Sequence, residues 1–261
     1  MNRIDKKFKD LGKANKKAFI AYVVSGYPDI GITEKLVPEI EKAGVDIVEL
    51  GVPFSDPLAD GAVIQAASQK ALLRGITLTK ILTTVKKIRK VSDIALVLMS
   101  YYNPIAAYGM NKFITDAIKA GVDGVIIPDL PADEAGLFNK EARKKDLCHI
   151  LLVTPTTSQT RIKKITGMST GFIYYVSLTG VTGARKNLAQ DIEKQVDKIK
   201  SMTKKPVCVG FGVSNPEQVR LISNFADGVI VGSALVNMMG GGNRKDLIKK
   251  TIGFIKRLKG R

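Results

Sequence analysis

Eight short apolar runs rich in β-branched residues punctuate this chain, at 18–24, 45–50, 94–99, 122–127, 149–153, 171–176, 206–210 and 228–232. Between them lie longer stretches whose apolar residues recur at helical spacing, such as Ile64, Ala67, Ala71 and Leu72, then Leu78, Ile81, Val85 and Ile88. Strands that read as continuous apolar runs are buried on both faces, as parallel sheets require. Eight strand–helix units within 261 residues match the requirement of a closed (β/α)8 TIM barrel. An open doubly wound sheet fits less well, because it carries its phosphate-binding glycines after the first strand, whereas the glycine motifs here come late. No linker or low-complexity stretch divides the chain, so a single domain over 1–261 is expected, with a basic helix at each end.

Composition narrows the functional classes. With 45% hydrophobic and 25% charged residues, the chain has enough apolar material for a sizeable core and is no disordered tail. No run of about 18 apolar residues marks a membrane span, and the Lys-rich N-terminus has no apolar signal core. A cytoplasmic setting is expected. Cys148 and Cys208 lack a CxxC pattern or a nearby His, so they read as buried, reduced thiols. The net charge of +17 would suit a nucleic-acid binder, but its location argues otherwise. Residues 1–17 carry +5 and residues 244–261 carry +7, so the two ends hold +12 of the total. Both ends show an apolar helical stripe, Ile4, Phe8 and Leu11 in one and Leu247, Ile248, Ile252 and Ile255 in the other. Their cations are therefore expected on solvated helix faces.

In a barrel of this type, chemistry belongs at the C-terminal ends of the strands. The second run closes with Val48-Glu49-Leu50-Gly51, placing a carboxylate among apolar neighbours, where a charge is costly unless paired or functional. Burial there raises a carboxyl pKa, which suits a general acid. A structural carboxylate bonded to a nearby loop is the competing reading. The loop that follows, 51–61, is longer than a usual βα connection and is stiffened by Pro53 and Pro57. It offers two carboxylates, Asp56 and Asp60, which spacing alone cannot rank. Asp60 just precedes a helical segment beginning at Ala62, so N-cap duty competes with a chemical role.

Three later elements suggest an anion site: a Gly/Thr stretch from Ser177 to Arg185 suited to a lid, Gly210-Phe211-Gly212, and Gly232-Ser233 at the start of an apolar helix. Glycines beside helix starts let backbone N–H groups approach a phosphate; tight strand-to-helix packing is the alternative. His149 begins the fifth run, at the end opposite the chemistry, and excludes a Ser–His or Cys–His dyad at the mouth. No Lys ends a strand, so Schiff-base chemistry has no nucleophile. Asp129 stands without a second ligand, and no metal site is expected.

The segment Val48-Glu-Leu-Gly-Val-Pro-Phe-Ser-Asp-Pro-Leu-Ala-Asp-Gly61 closely resembles the signature of the tryptophan synthase alpha subunit family. Tyr101-Tyr-Asn-Pro104, Pro128-Asp-Leu-Pro131, Ser177 through Gly183, Gly210-Phe-Gly212 and Gly232-Ser233 resemble its later motifs, in the same order. The resemblance spans nearly the whole chain. It implies retro-aldol cleavage of indole-3-glycerol phosphate to indole and glyceraldehyde 3-phosphate, a lyase step of tryptophan biosynthesis. By resemblance, Glu49 is the acid/base, Asp60 the carboxylate that accepts the indole N–H, and Tyr174 the tyrosine beside the reacting centre. Thr182 would orient Asp60 when the lid shuts. Tyr22, Ile64, Tyr101 and Ile126 would line the indole pocket, and Gly183, Gly212, Gly232 and Ser233 would cradle the phosphate. No cofactor is implied in this chain; pyridoxal phosphate is expected only in a beta subunit, the partner in an alpha2-beta2 complex. Ala62, Leu178 and the +17 charge depart from the family's usual pattern. The competing functions are another phosphate-binding barrel enzyme, such as an indole-glycerol-phosphate synthase or a prenyl-phosphate transferase, or a basic polyanion-binding barrel without catalysis.

Overall fold

The structure is a computed structural model that describes residues 1–177, 185–210, 212–240 and 244–260, and all their side chains except those of 185–189 and 244–245. Eight parallel strands, β1 (Ala18–Val24), β2 (Ile47–Gly51), β3 (Ala95–Met99), β4 (Gly124–Ile126), β5 (Cys148–Val153), β6 (Ile173–Val176), β7 (Val207–Gly210) and β8 (Gly228–Val231), close in chain order into a barrel. The expected TIM barrel is the observed one. The first strand coincides with its apolar run, and the others begin or end within a few residues of theirs. Closure comes from β8 pairing with β1, in the register Ala21 opposite Val231.

Alternation sorts the side chains into two apolar bodies. Ala18, Ile20, Ile47, Val97, Ile126, Ile150, Phe172, Cys208 and Ile230 fill the barrel interior. The intervening residues, such as Val48, Leu96 and Val209, pack outward against the helices. The helix Arg3–Lys13 lies across the N-terminal end of the barrel. Its Ile4 is fully buried in the interior cluster, and Phe8 packs against Phe172 with ring centroids 5.7 Å apart. Asn2 caps this helix by accepting from Ile4 N–H at 2.9 Å. Its amide also donates to the carbonyls of Asp123 and Asp146 at 2.8 and 2.7 Å.

The apolar stripes of both terminal helices are buried or half-buried as expected, and most of the cations beside them face solvent. Arg3 and Lys259 depart from that pattern, as does Lys7, which pairs with Asp46 at 3.8 Å. Arg3 pairs with the buried Asp123 at 3.1 Å. Lys259 reaches back to the carbonyl of Gly44 and to Asp46; both cations stitch the floor of the barrel. No helix among the described residues is long and apolar enough to cross a membrane.

Candidate active site

Glu49 is the third residue of β2, and its side chain enters the barrel on the same face as Ile47. It is fully buried, and neither carboxylate oxygen has a hydrogen-bond partner among the described residues. The structural reading, a carboxylate tied to a loop, finds no such tie among them. Burial without compensation disfavours the charged form, and it raises the Glu49 carboxyl to a pKa of about 8.

Two tyrosines crowd the same layer. Tyr22 on β1 stands opposite Glu49 in register. Tyr174 on β6 projects into the interior from the far side. Each ring leans toward the mouth over a glycine that ends a neighbouring strand. A Cβ on Gly51 would lie 2.2 Å from the Tyr22 hydroxyl, and one on Gly210 would lie 2.4 Å from the Tyr174 hydroxyl. A side chain at either position would force the tyrosine ring to shift. The Tyr174 ring therefore gives Gly210 a packing reason. A glycine two positions after an inward-facing strand residue is the sequence signal that points to such a seat.

The loop after β2 carries Asp60. The helix that follows runs Ala62–Leu73 with Gly61 as N-cap and no side-chain cap bond, so Asp60 has no capping duty. Its half-buried carboxyl lies against Tyr101, whose hydroxyl accepts the Ala59 N–H at 2.8 Å. Burial raises Asp60 to a pKa of about 6, opposed by a hydrogen bond from Tyr101. Phe54 packs on the same Tyr101 ring at 5.3 Å. Asp56 is exposed and bonded only to its neighbour Ser55. The structure thus separates two carboxylates that spacing could not. Tyr101 meets this loop through its hydroxyl as well as its ring, a contact that sequence spacing did not suggest. Ile126 is buried at the end of β4 and Ile64 half-buried on the helix after the loop.

Of the expected phosphate contacts, Gly212 has a φ of +72°, a left-handed conformation natural to glycine. Gly232 precedes the helix Ser233–Met239, and Ser233 is exposed at its first position. A Cβ on Gly232 would meet Tyr22 no closer than 3.5 Å, so protein packing does not demand a glycine there. Thr182, Gly183, Leu178 and Phe211 lie outside the described residues.

His149 is fully buried against Phe138 at 4.9 Å between ring centroids, and burial lowers its pKa to about 4. Asp129 accepts the Tyr102 N–H at 2.8 Å. Both cysteines are free and buried. Among the described residues no group of His, Cys, Asp and Glu could hold a metal ion.

Residues 8–259 match the family model described as tryptophan synthase alpha chain. A tryptophan synthase alpha chain from Geotalea daltonii is 49% identical over 259 residues, covering 99% of this chain and 98% of the relative. Among solved structures, tryptophan synthase subunit alpha from Legionella pneumophila superposes with a TM-score of 0.93 at 37% identity, covering 100% of this chain and 98% of the other. A tryptophan synthase complex from Pyrococcus furiosus includes a chain that matches with a TM-score of 0.86 at 35% identity, covering 94% and 98%.

Proposed function

Because the chain belongs to the tryptophan synthase alpha chain family and so cleaves indole-3-glycerol phosphate to indole and glyceraldehyde 3-phosphate, we propose that Glu49 and Asp60 carry its chemistry. The observation behind this reading is the pair of unpartnered oxygens on the fully buried Glu49. Such a group costs stability, and a ligand seated in the mouth supplies what the protein leaves out.

With a pKa of about 8, Glu49 holds its proton at neutral pH and delivers it to C3 of the indole ring. The ring becomes an electron sink. Asp60, with a pKa of about 6, is ionised there, accepts the indole N–H bond and stabilises the positive charge developing on the nitrogen. The Glu49 carboxylate then takes the proton of the glycerol hydroxyl adjacent to the ring. As that C–O bond becomes a carbonyl, the carbon–carbon bond breaks and its electron pair returns to the ring. Glu49 ends the cycle protonated.

Tyr174 stands beside the reacting centre, and Thr182 orients Asp60 when the loop closes. Tyr22, Ile64, Tyr101 and Ile126 line the ring pocket. Backbone N–H groups at Gly183, Gly212, Gly232 and Ser233 hold the phosphate, a reading supported by the space beside Gly232. The chain uses no cofactor of its own, works in the cytoplasm, and passes indole to the beta subunit of tryptophan synthase, where pyridoxal phosphate resides. That partner accords with the Pyrococcus neighbour being part of a complex.

The test is indole release from indole-3-glycerol phosphate across pH, with and without the beta subunit. Activity should rise as pH passes about 6, where Asp60 ionises, and fall beyond about 8, where Glu49 loses its proton. Release that stays constant from pH 5 to 9 would remove both carboxylates from the proton chemistry.

A further inference from the structure

Tyr22 combines features that a ring-lining role leaves unused. It is 6% exposed, yet its hydroxyl makes no hydrogen bond to a described residue. The ring runs between two strand ends. Its Cβ and Cγ lie against Gly232 on one side, and its hydroxyl sits over Gly51 on the other. Glu49 is its register partner on β2, two residues before Gly51. The hydroxyl therefore occupies the layer just above the Glu49 carboxyl, on the side facing the Asp60 loop. A phenylalanine would fill the same volume without leaving a polar group unpaired at the rim of the core.

Gly232 belongs to the phosphate end of the site and Asp60 to the indole end. A substrate bound between them lays its connecting three-carbon chain along the Tyr22 ring. We propose that the Tyr22 hydroxyl hydrogen-bonds a hydroxyl of that chain, making Tyr22 the residue that distinguishes a glycerol side chain from one without hydroxyls. The inference rests on the functional reading above and adds a specificity determinant to it. A polar group placed for a substrate hydroxyl discriminates strongly, because the analogue lacking it leaves the protein group unpaired. Burial, reinforced by the charges of Asp60 and Glu49, pushes the Tyr22 phenol well above its ordinary pKa. It stays a donor throughout the working range.

Tyr22→Phe removes one oxygen and little else. In the alpha–beta complex, kcat/KM for indole-3-glycerol phosphate should fall about five- to tenfold, the usual worth of one neutral hydrogen bond. The inhibition constant of an analogue that joins indole to phosphate through an unhydroxylated propyl chain should stay the same or fall, because the variant no longer leaves a hydroxyl unpaired against it, and its binding also shows that the variant is folded. Equal losses for substrate and analogue would make Tyr22 a packing residue, and no loss for either would remove the contact. If the unsubstituted complex released no indole, the functional reading would fail first and this inference with it.

Discussion

The two ends of the barrel treat a buried carboxylate in opposite ways. At the floor, Asp123 is 4% exposed and fully engaged. It accepts from Arg89 at 2.7 Å, Arg3 at 3.1 Å and the Leu96 N–H at 2.8 Å. Burial pushes its pKa up, and these three partners oppose the shift. Asp227, half-buried beside it in the floor, is also bonded, to Lys200 at 2.9 Å and to the Val207 N–H at 3.0 Å. At the mouth, Glu49 is also buried, and its carboxylate has no hydrogen-bond partner among the described residues. Asp123 ties the N-terminal helix, the helix Leu78–Ile88 and β3 into one floor. Glu49 ties nothing together and is held ready to titrate. In this fold the N-terminal end carries stability and the C-terminal end carries chemistry, and these residues show that division as a difference in hydrogen bonding.

The widest contrast comes from neutralising one carboxylate at each end. Glu49→Gln and Asp60→Asn should each lower indole release by about 10² or more, the scale of acid/base groups. The Glu49 variant should gain stability relative to the parent as pH rises. The folded pKa of about 8 lies above the ordinary 4.5, so the folded form keeps its proton longer than the unfolded chain does. Stability is therefore full below about 4.5 and declines as pH climbs toward 8. At about 1.4 kcal/mol per pKa unit, the decline amounts to several kcal/mol, and Glu49→Gln removes it. Denaturant titrations at pH 5 and 8.5 read the difference, and an equal pH dependence in both proteins would contradict the assignment.

Asp123→Asn should do the reverse. It leaves the half-buried Arg89 without its closest charge partner, at about 3 kcal/mol, while kcat of the folded fraction stays within a few-fold. Loss of turnover at unchanged stability would break the division between floor and mouth. A smaller effect is expected at Tyr101. Its hydrogen bond holds Asp60 lower than burial alone would, so Tyr101→Phe should move the acid limb of the kcat/KM profile upward, with a few-fold loss at pH 6. A limb that moves downward or stays in place would show that Tyr101 does not govern Asp60.

The sequence carried the mouth better than the floor. Periodicity located all eight strands, and the isolated carboxylate at the end of β2 stood out because its neighbours are apolar. Asp123 did not stand out, because its arginines lie 34 and 120 residues away and only the closed barrel brings them together. Asp56 and Asp60 were indistinguishable by spacing, since both sit on one loop; packing against Tyr101 separates them. The glycine at 210 read as part of an anion loop, and its seat for the Tyr174 ring of the adjacent strand was not legible. Such gaps share a cause: contacts between neighbouring parallel strands join residues far apart in the chain, and local pattern does not record them.

The proposed mechanism requires Glu49 to be a protonated acid at neutral pH. The direct measurement is a carbon-13 NMR titration of the glutamate carboxyl groups, with the Glu49 signal identified by its absence in Glu49→Gln. A midpoint near 8 is expected, far from the other glutamates and unchanged by salt, since burial is its cause. A midpoint near 4.5 would show a Glu49 already ionised at neutral pH, and would contradict its role as proton donor.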